Sequence, residues 1–156
     1  MNRFEAVEIV PFAPQQMQAL VADVATYPRF VPFVKAARVW NRRTSPGRTG
    51  FMGELVVGFQ AFRGHFATTV EVQDDPCIVA TRLVRGPFRA LECQWQFKPA
   101  VDGCLIAVTL DFEFSEPFLA SLLRSSMDRA VARLVRAFTD EAERRYRSAE
   151  PSPAGH

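Results

Sequence analysis

From Lys35 to Phe114 the chain consists of six runs of strand length, and the junctions between them hold glycine, proline or aspartate. "KAARVWNRR" gives way to "TSPGRTG", "FMGELVVGFQAF" passes through "RG" into "HFATTVEV", "QDDP" turns into "CIVATRLV", "RGP" into "FRALECQWQF", and "KPAVDG" into "CLIAVTLDFEF". Junctions this short join antiparallel neighbours. Alternation then assigns faces. Leu91, Cys93, Trp95 and Phe97 share one side of their run. Ile106, Val108, Leu110, Phe112 and Phe114 share one side of the next, with Asp111 and Glu113 opposite them in water.

Other elements flank this block. "RFEAVEIV" alternates and reads as a seventh strand. "APQQMQALVADV" places Met17, Leu20, Val21 and Val24 at i, i+3, i+4 and i+7, an amphipathic helix that Pro14 can begin and Pro28 ends. Pro32 blocks any longer helix, so "YPRFVPF" is expected to be a short turn or helical corner. Leu119, Leu122, Leu123, Met127, Val131, Leu134, Val135, Phe138 and Ala142 form an apolar stripe at helical spacing, predicting one helix over 117–147. Ser115 or Glu116 would cap it, with Pro117 in the first turn. At 1.5 Å per residue it reaches ~46 Å. A ten-residue strand covers ~33 Å, so the charged end "EAERRYR" is expected to overhang the sheet. The tail 148–156 has no core-forming residues and is expected to be disordered, leaving one domain over 1–147.

The order is α+β: an antiparallel seven-stranded sheet packed against a C-terminal helix. Seven strands make a sheet ~29 Å wide, and one helix is ~10 Å across. Either the sheet curls until its own side chains fill the gap, or a hollow persists beneath the helix. Fourteen phenylalanines supply apolar lining, as a small-molecule site needs, although such a stripe also fills ordinary cores.

Bulk properties narrow the class. Hydrophobic content of 48% and charged content of 23% exclude a disordered chain. No window of ~18 apolar residues appears, and the N-terminus lacks a secretory core or an acid-poor transit pattern, so bacterial cytoplasmic residence is expected. Cys77, Cys93 and Cys104 are odd in number, form no C-x-x-C pair and read as free buried thiols. A net charge of +2 does not by itself indicate a nucleic-acid partner. Its distribution is uneven: Arg29, Lys35, Arg38, Arg42, Arg43 and Arg48 fall in a stretch, 24–53, with no acid.

Catalytic patterns are missing. There is no G-x-S-x-G, P-loop, Rossmann glycine pattern or H-E-x-x-H. His65 is the one histidine before the tail and reads as a surface or packing residue without the neighbours a metal site needs. Asp74-Asp75 precedes Pro76 and reads as a turn. No catalytic or metal-ligating residue is expected.

"YPRFVPF", "GPFRALECQWQF" and the "FEF" of residues 112–114 resemble the coenzyme Q-binding branch of the START-like superfamily of polyketide cyclases, dehydrases and lipid carriers, which also contains the bacterial ribosome-association toxins. The resemblance runs over roughly residues 3–147. Phe33 and Val34 stand where many relatives carry Trp and Cys. It implies a helix-grip fold, with the curved sheet wrapped around the long C-terminal helix over a hydrophobic cavity. "YPRFVPF" would gate that cavity, with the prolines aiming Tyr27, Phe30 and Phe33 inward. Phe59, Trp95, Phe112, Leu123 and Met127 complete the expected lining. The implied function is non-enzymatic binding of ubiquinone or a related isoprenoid lipid, in support of respiration or quinone biosynthesis. Arg29 and Lys35 would face solvent or an anionic inner membrane in peripheral contact. The alternative is a toxin-like protein that binds the large ribosomal subunit through the basic surface of Arg29, Lys35, Arg38, Arg42 and Arg43. A polyketide cyclase-like enzyme is the third reading, and no acid or base is evident for it.

Overall fold

Antiparallel pairing turns the alternating runs into one curved sheet. The computed structural model describes residues 2–59, 62–123 and 126–147; the side chains of residues 62, 119, 122 and 123 are also outside that description. The strands are β1 (Asn2–Val10), β2 (Val34–Ser45), β3 (Arg48–Phe59), β4 (Phe62–Gln73), β5 (Ile78–Arg85), β6 (Phe88–Ala100) and β7 (Gly103–Phe114). The helices are α1 (Pro14–Ala22), α2 (Pro117–Leu123) and α3 (Met127–Ala142). The sheet order is β1-β7-β6-β5-β4-β3-β2, every neighbouring pair antiparallel. Strands β1 and β2 are therefore opposite edges, joined by α1 and a 3₁₀ turn over Val24–Arg29.

Helix α1 follows its sequence. Gln16 Oε1 accepts a 2.9 Å hydrogen bond from the Ala13 N–H, meeting one of the donors that a helix start leaves free. Met17, Leu20, Val21 and Val24 are all buried. The buried Gln18 side chain donates to the carbonyls of Gln73 (2.6 Å) and Ile78 (3.2 Å), fixing α1 to the β4–β5 turn. In the proline corner, the Tyr27 hydroxyl donates to the Val21 carbonyl at 2.5 Å, and the Gly58 N–H donates to the Phe33 carbonyl at 2.8 Å.

Several boundaries differ from the sequence reading because pairing extends strands into turn-like residues. The β2–β3 turn shrinks to Pro46-Gly47, with Ser45 facing Arg48. The expected turn at Arg63-Gly64 lies inside β4, since Phe59 pairs with Phe62, and residues 60 and 61 are outside the described residues. The last hairpin closes at Val101-Asp102, with Ala100 facing Gly103. Glycine is required at 103: a Cβ there would lie 1.9 Å from the Val10 carbonyl oxygen.

The long C-terminal helix expected over 117–147 is present; it is described over α2 and α3, with a π-helical turn over Glu143–Arg147, and residues 124 and 125 lie outside the described residues. Asp128 suits the first turn of α3. The C-terminal end is not a free overhang. The Tyr146 hydroxyl donates to the Gln16 carbonyl at 2.6 Å, its ring lies 5.9 Å from that of Phe12, and Arg145 approaches Asp23 at 3.5 Å. The region of α1 extends the covered surface, so the last turn docks there. The tail 148–156 is outside the described residues.

Candidate functional site

The space under the helices divides into a packed half and a hollow half. In the packed half, Met17, Leu20, Trp95, Phe97, Ile106 and Phe138 belong to one buried cluster. Phe138 of α3 is its hub, with ring centres 4.9 Å from Trp95, 5.2 Å from Phe30 and 5.3 Å from Tyr27. In the other half, Phe112 and Phe114 gather Phe59, Phe88, Leu91, Leu110 and Met127 around them. This second set encloses a hollow of about 160 Å³ that opens to the surface. Both outcomes allowed by the sheet-width argument thus occur, one at each end of the sheet.

Among the described residues, every side chain lining the hollow is apolar. Phe33 comes from the corner; Val57, Phe59 and Phe66 come from the β3–β4 hairpin; Phe88, Leu91, Leu110, Phe112 and Phe114 come from β6 and β7; Met127 and Ala130 come from α3. Edge-to-face ring pairs at 4.7 Å (Phe33–Phe59), 5.3 Å (Phe66–Phe88) and 5.4 Å (Phe112–Phe114) hold the walls. Gly86 lets β6 start beside Phe66: its φ is +152°, and a Cβ would lie 2.4 Å from the Phe66 Cβ. The volume is close to the ~150 Å³ that accepts a benzene ring in a dry apolar cavity. A second concavity of about 540 Å³ is larger but lies on the outer sheet face, with polar side chains such as Thr69, Gln94, Gln96 and Thr109 and the ion pair of Arg3 with Asp111. An oily group would not displace water from that surface.

Of the residues expected to line a cavity, Phe33, Phe59, Phe112 and Met127 surround this hollow. Tyr27, Phe30 and Trp95 pack instead around Phe138; pairing with Val79 and Val108 sets Trp95 deep in the filled half. The Leu123 side chain is outside the described residues. Phe66, Phe88, Leu91, Leu110, Phe114, Val57 and Ala130 were not foreseen. Leu91, Leu110 and Phe114 were on the correct face by alternation, but only position along the strand tells hollow from filled: the lining clusters near the Gly86 end.

The basic residues point elsewhere. Arg29, Lys35, Arg38, Arg42 and Arg43 are exposed. Arg38 caps the Trp40 ring at 4.5 Å and binds Glu54 at 2.7 Å; Arg42 lies 4.8 Å over Phe51. The Arg38 hydrogen bond, aided by Arg85 and His65, holds the Glu54 carboxyl below its usual range. Asp111 does not stand free in water: its hydrogen bond with Arg3 lowers its pKa. Burial pushes the Cys93 thiol up to about 12 and the Cys104 thiol up to about 11, so both are protonated at neutral pH. Among the described residues no three His, Cys, Asp or Glu side chains are grouped to hold a metal ion, and no helix is long and apolar enough to cross a membrane.

The chain is 30% identical over 154 residues to the mitochondrial coenzyme Q-binding protein COQ10 of Drosophila melanogaster, covering 96% of this chain and 61% of that one. It is 29% identical to the ribosome association toxin RatA of Escherichia coli K12, covering 94% of this chain and 90% of the toxin. The solution structure of an 18 kDa protein from Caulobacter crescentus superposes with a TM-score of 0.78 at 32% identity, over 94% of this chain and 99% of that one. Residues 10–139 match the family described as polyketide cyclase / dehydrase and lipid transport. The curved seven-stranded sheet, the helices it grips and these matches agree: the chain belongs to that START-like family, in the branch with coenzyme Q-binding proteins and ribosome association toxins.

Proposed function

We infer that this protein binds ubiquinone or a related isoprenoid lipid without transforming it, and so supports respiratory electron transport or quinone biosynthesis. The observation that carries this reading is the hollow beside Phe112, open to the surface and lined, among the described residues, by apolar side chains. One ring or a short isoprenoid segment fits within, and the rest of a chain can leave through the opening. Each buried CH₂ contributes ~0.8 kcal/mol, so few polar contacts are needed. Its described walls carry no acid or base, which suits a carrier better than a cyclase. Residence in the cytoplasm, with peripheral contact at an anionic membrane, accords with this role. Lipid extraction of the purified protein, with native mass spectrometry after adding decylubiquinone, tests it. A stoichiometric adduct is expected; extracts without lipid and no adduct would overturn the reading.

A second reading has its own support. Arg38 on Trp40 and Arg42 on Phe51 place cations on aromatic rings along the edge strand β2, beside Arg43 at its tip. Such a surface suits a phosphate backbone, and the toxin relatives make the large ribosomal subunit the candidate partner. Sucrose-gradient profiles after overexpression distinguish it: free subunits should accumulate at low magnesium, and an unchanged 70S peak would dismiss the role.

A further inference from the structure

Beside the hollow, between α3 and the proline corner, runs an open groove of about 410 Å³. Phe30, Pro32 and Ala137 line it with apolar surface, and Arg133 and Arg136 give it positive charge. One contact links the two cavities, whose described linings share no residue. Arg133 lines the groove, and its guanidinium lies 5.2 Å from the ring centre of Phe33, which lines the hollow.

Charge within the groove is uneven. At the far end Arg144 is bound to Glu141 at 2.9 and 2.5 Å, with Asp140 close in sequence. Near the hollow, Arg133 and Arg136 stand three residues apart on the exposed face of α3. Among the described residues neither is paired with a carboxylate. Both cations face water and Asp140 lines the groove one turn beyond Arg136, so a wholly apolar ligand would gain nothing from either arginine. A ligand with a ring or short chain in the hollow and a negative head in the groove satisfies both cavities, because planar guanidinium groups bind carboxylate and phosphate oxygens in matched pairs.

We propose that the hollow and the groove form one bipartite site for an anionic amphiphile, whose carboxylate or phosphate head sits between Arg133 and Arg136. This rests on the hollow accepting an apolar group, as inferred above, and narrows the ligand from ubiquinone, which is uncharged, to a related lipid that carries a negative head. Arg133, lying over the Phe33 ring, would stand between the two parts.

The test compares cis-parinaric acid with its uncharged methyl ester, followed by probe fluorescence. At low salt the acid is expected to bind at least ~10-fold more tightly, and that margin should shrink as salt screens the arginines. Arg133→Gln and Arg136→Gln should each bring the acid toward the affinity of the ester, while Arg133→Lys keeps part of the preference. Both side chains are exposed, and circular dichroism checks that the variants fold. Equal affinity for acid and ester would overturn the charged-head proposal and leave the apolar hollow standing. A preference insensitive to both glutamine variants would also overturn it. Failure of both probes to bind would overturn the hollow reading as well.

Discussion

Tyr27 meets Phe138 edge to face, with ring centres 5.3 Å apart, while its hydroxyl is held by the Val21 carbonyl. The proline corner is thus bolted to α3 through an aromatic contact within the filled half. Phe138→Ala would strip that contact together with those to Phe30 and Trp95. A loss of about 3–5 kcal/mol is expected, read as a lowered denaturant midpoint with unchanged slope.

Filling the hollow should have the opposite character. Ala130 is buried and faces vacant space. Ala130→Leu should leave stability within about 1 kcal/mol of the parent, whereas overpacking a full core costs about 1–3 kcal/mol. Affinity for an apolar probe should fall at least ~10-fold. Paired thermal melts and probe titrations check both halves of this expectation.

Gly86→Ala should distort the wall. The new methyl would meet the Phe66 Cβ at 2.4 Å with backbone at φ +152°, a region that alanine rarely occupies. A loss of at least about 1–3 kcal/mol is expected, with weakened apolar-probe binding because Phe66 and Phe88 must separate.

Acid should loosen the C-terminal end. The Arg144 hydrogen bond, aided by Arg145, holds the Glu141 pKa below its ordinary 4.5. That carboxylate's contribution is complete above about 4.5 and is lost as the pH falls through its lower folded value. Melting temperature should therefore drop as the pH falls below about 4.5. Glu141→Gln should flatten this slope and cost about 1–2 kcal/mol at neutral pH, a modest figure because Arg144 is exposed.

Thiol chemistry gives an independent check on burial. Cys104 is 0% exposed, and burial raises its pKa to about 11. At pH 8 about one molecule in a thousand carries the thiolate. Iodoacetamide should label Cys104 only as fast as the protein unfolds, and should label all three cysteines rapidly in urea.

Much of the architecture was legible because side-chain period is local. Leu91 to Phe97 and Ile106 to Phe114 announced their faces, and Pro28 and Pro32 announced the corner. The ends of elements were less so: Arg63-Gly64 looks like a turn, yet pairing of Phe59 with Phe62 draws it into β4. Depth was harder still. Trp95 and Leu91 share a face of β6, but one packs on Phe138 and the other borders empty space. That difference depends on where α3 crosses the sheet, which no repeat in the strands records. The arginine groove escaped for the same reason, since Phe30 and Arg133 are distant in sequence and meet only through the fold.

The pairing of β1 with β7, which sets Asn2 against Phe112, carries a consequence for biogenesis. During synthesis β1 is made long before β7, its one neighbour among the described residues. Until then its backbone edge is unprotected, and the sheet can close only once β7 has been made. Maturation of this protein is therefore a late, concerted event, and chains cut short before Gly103 should be left to proteases.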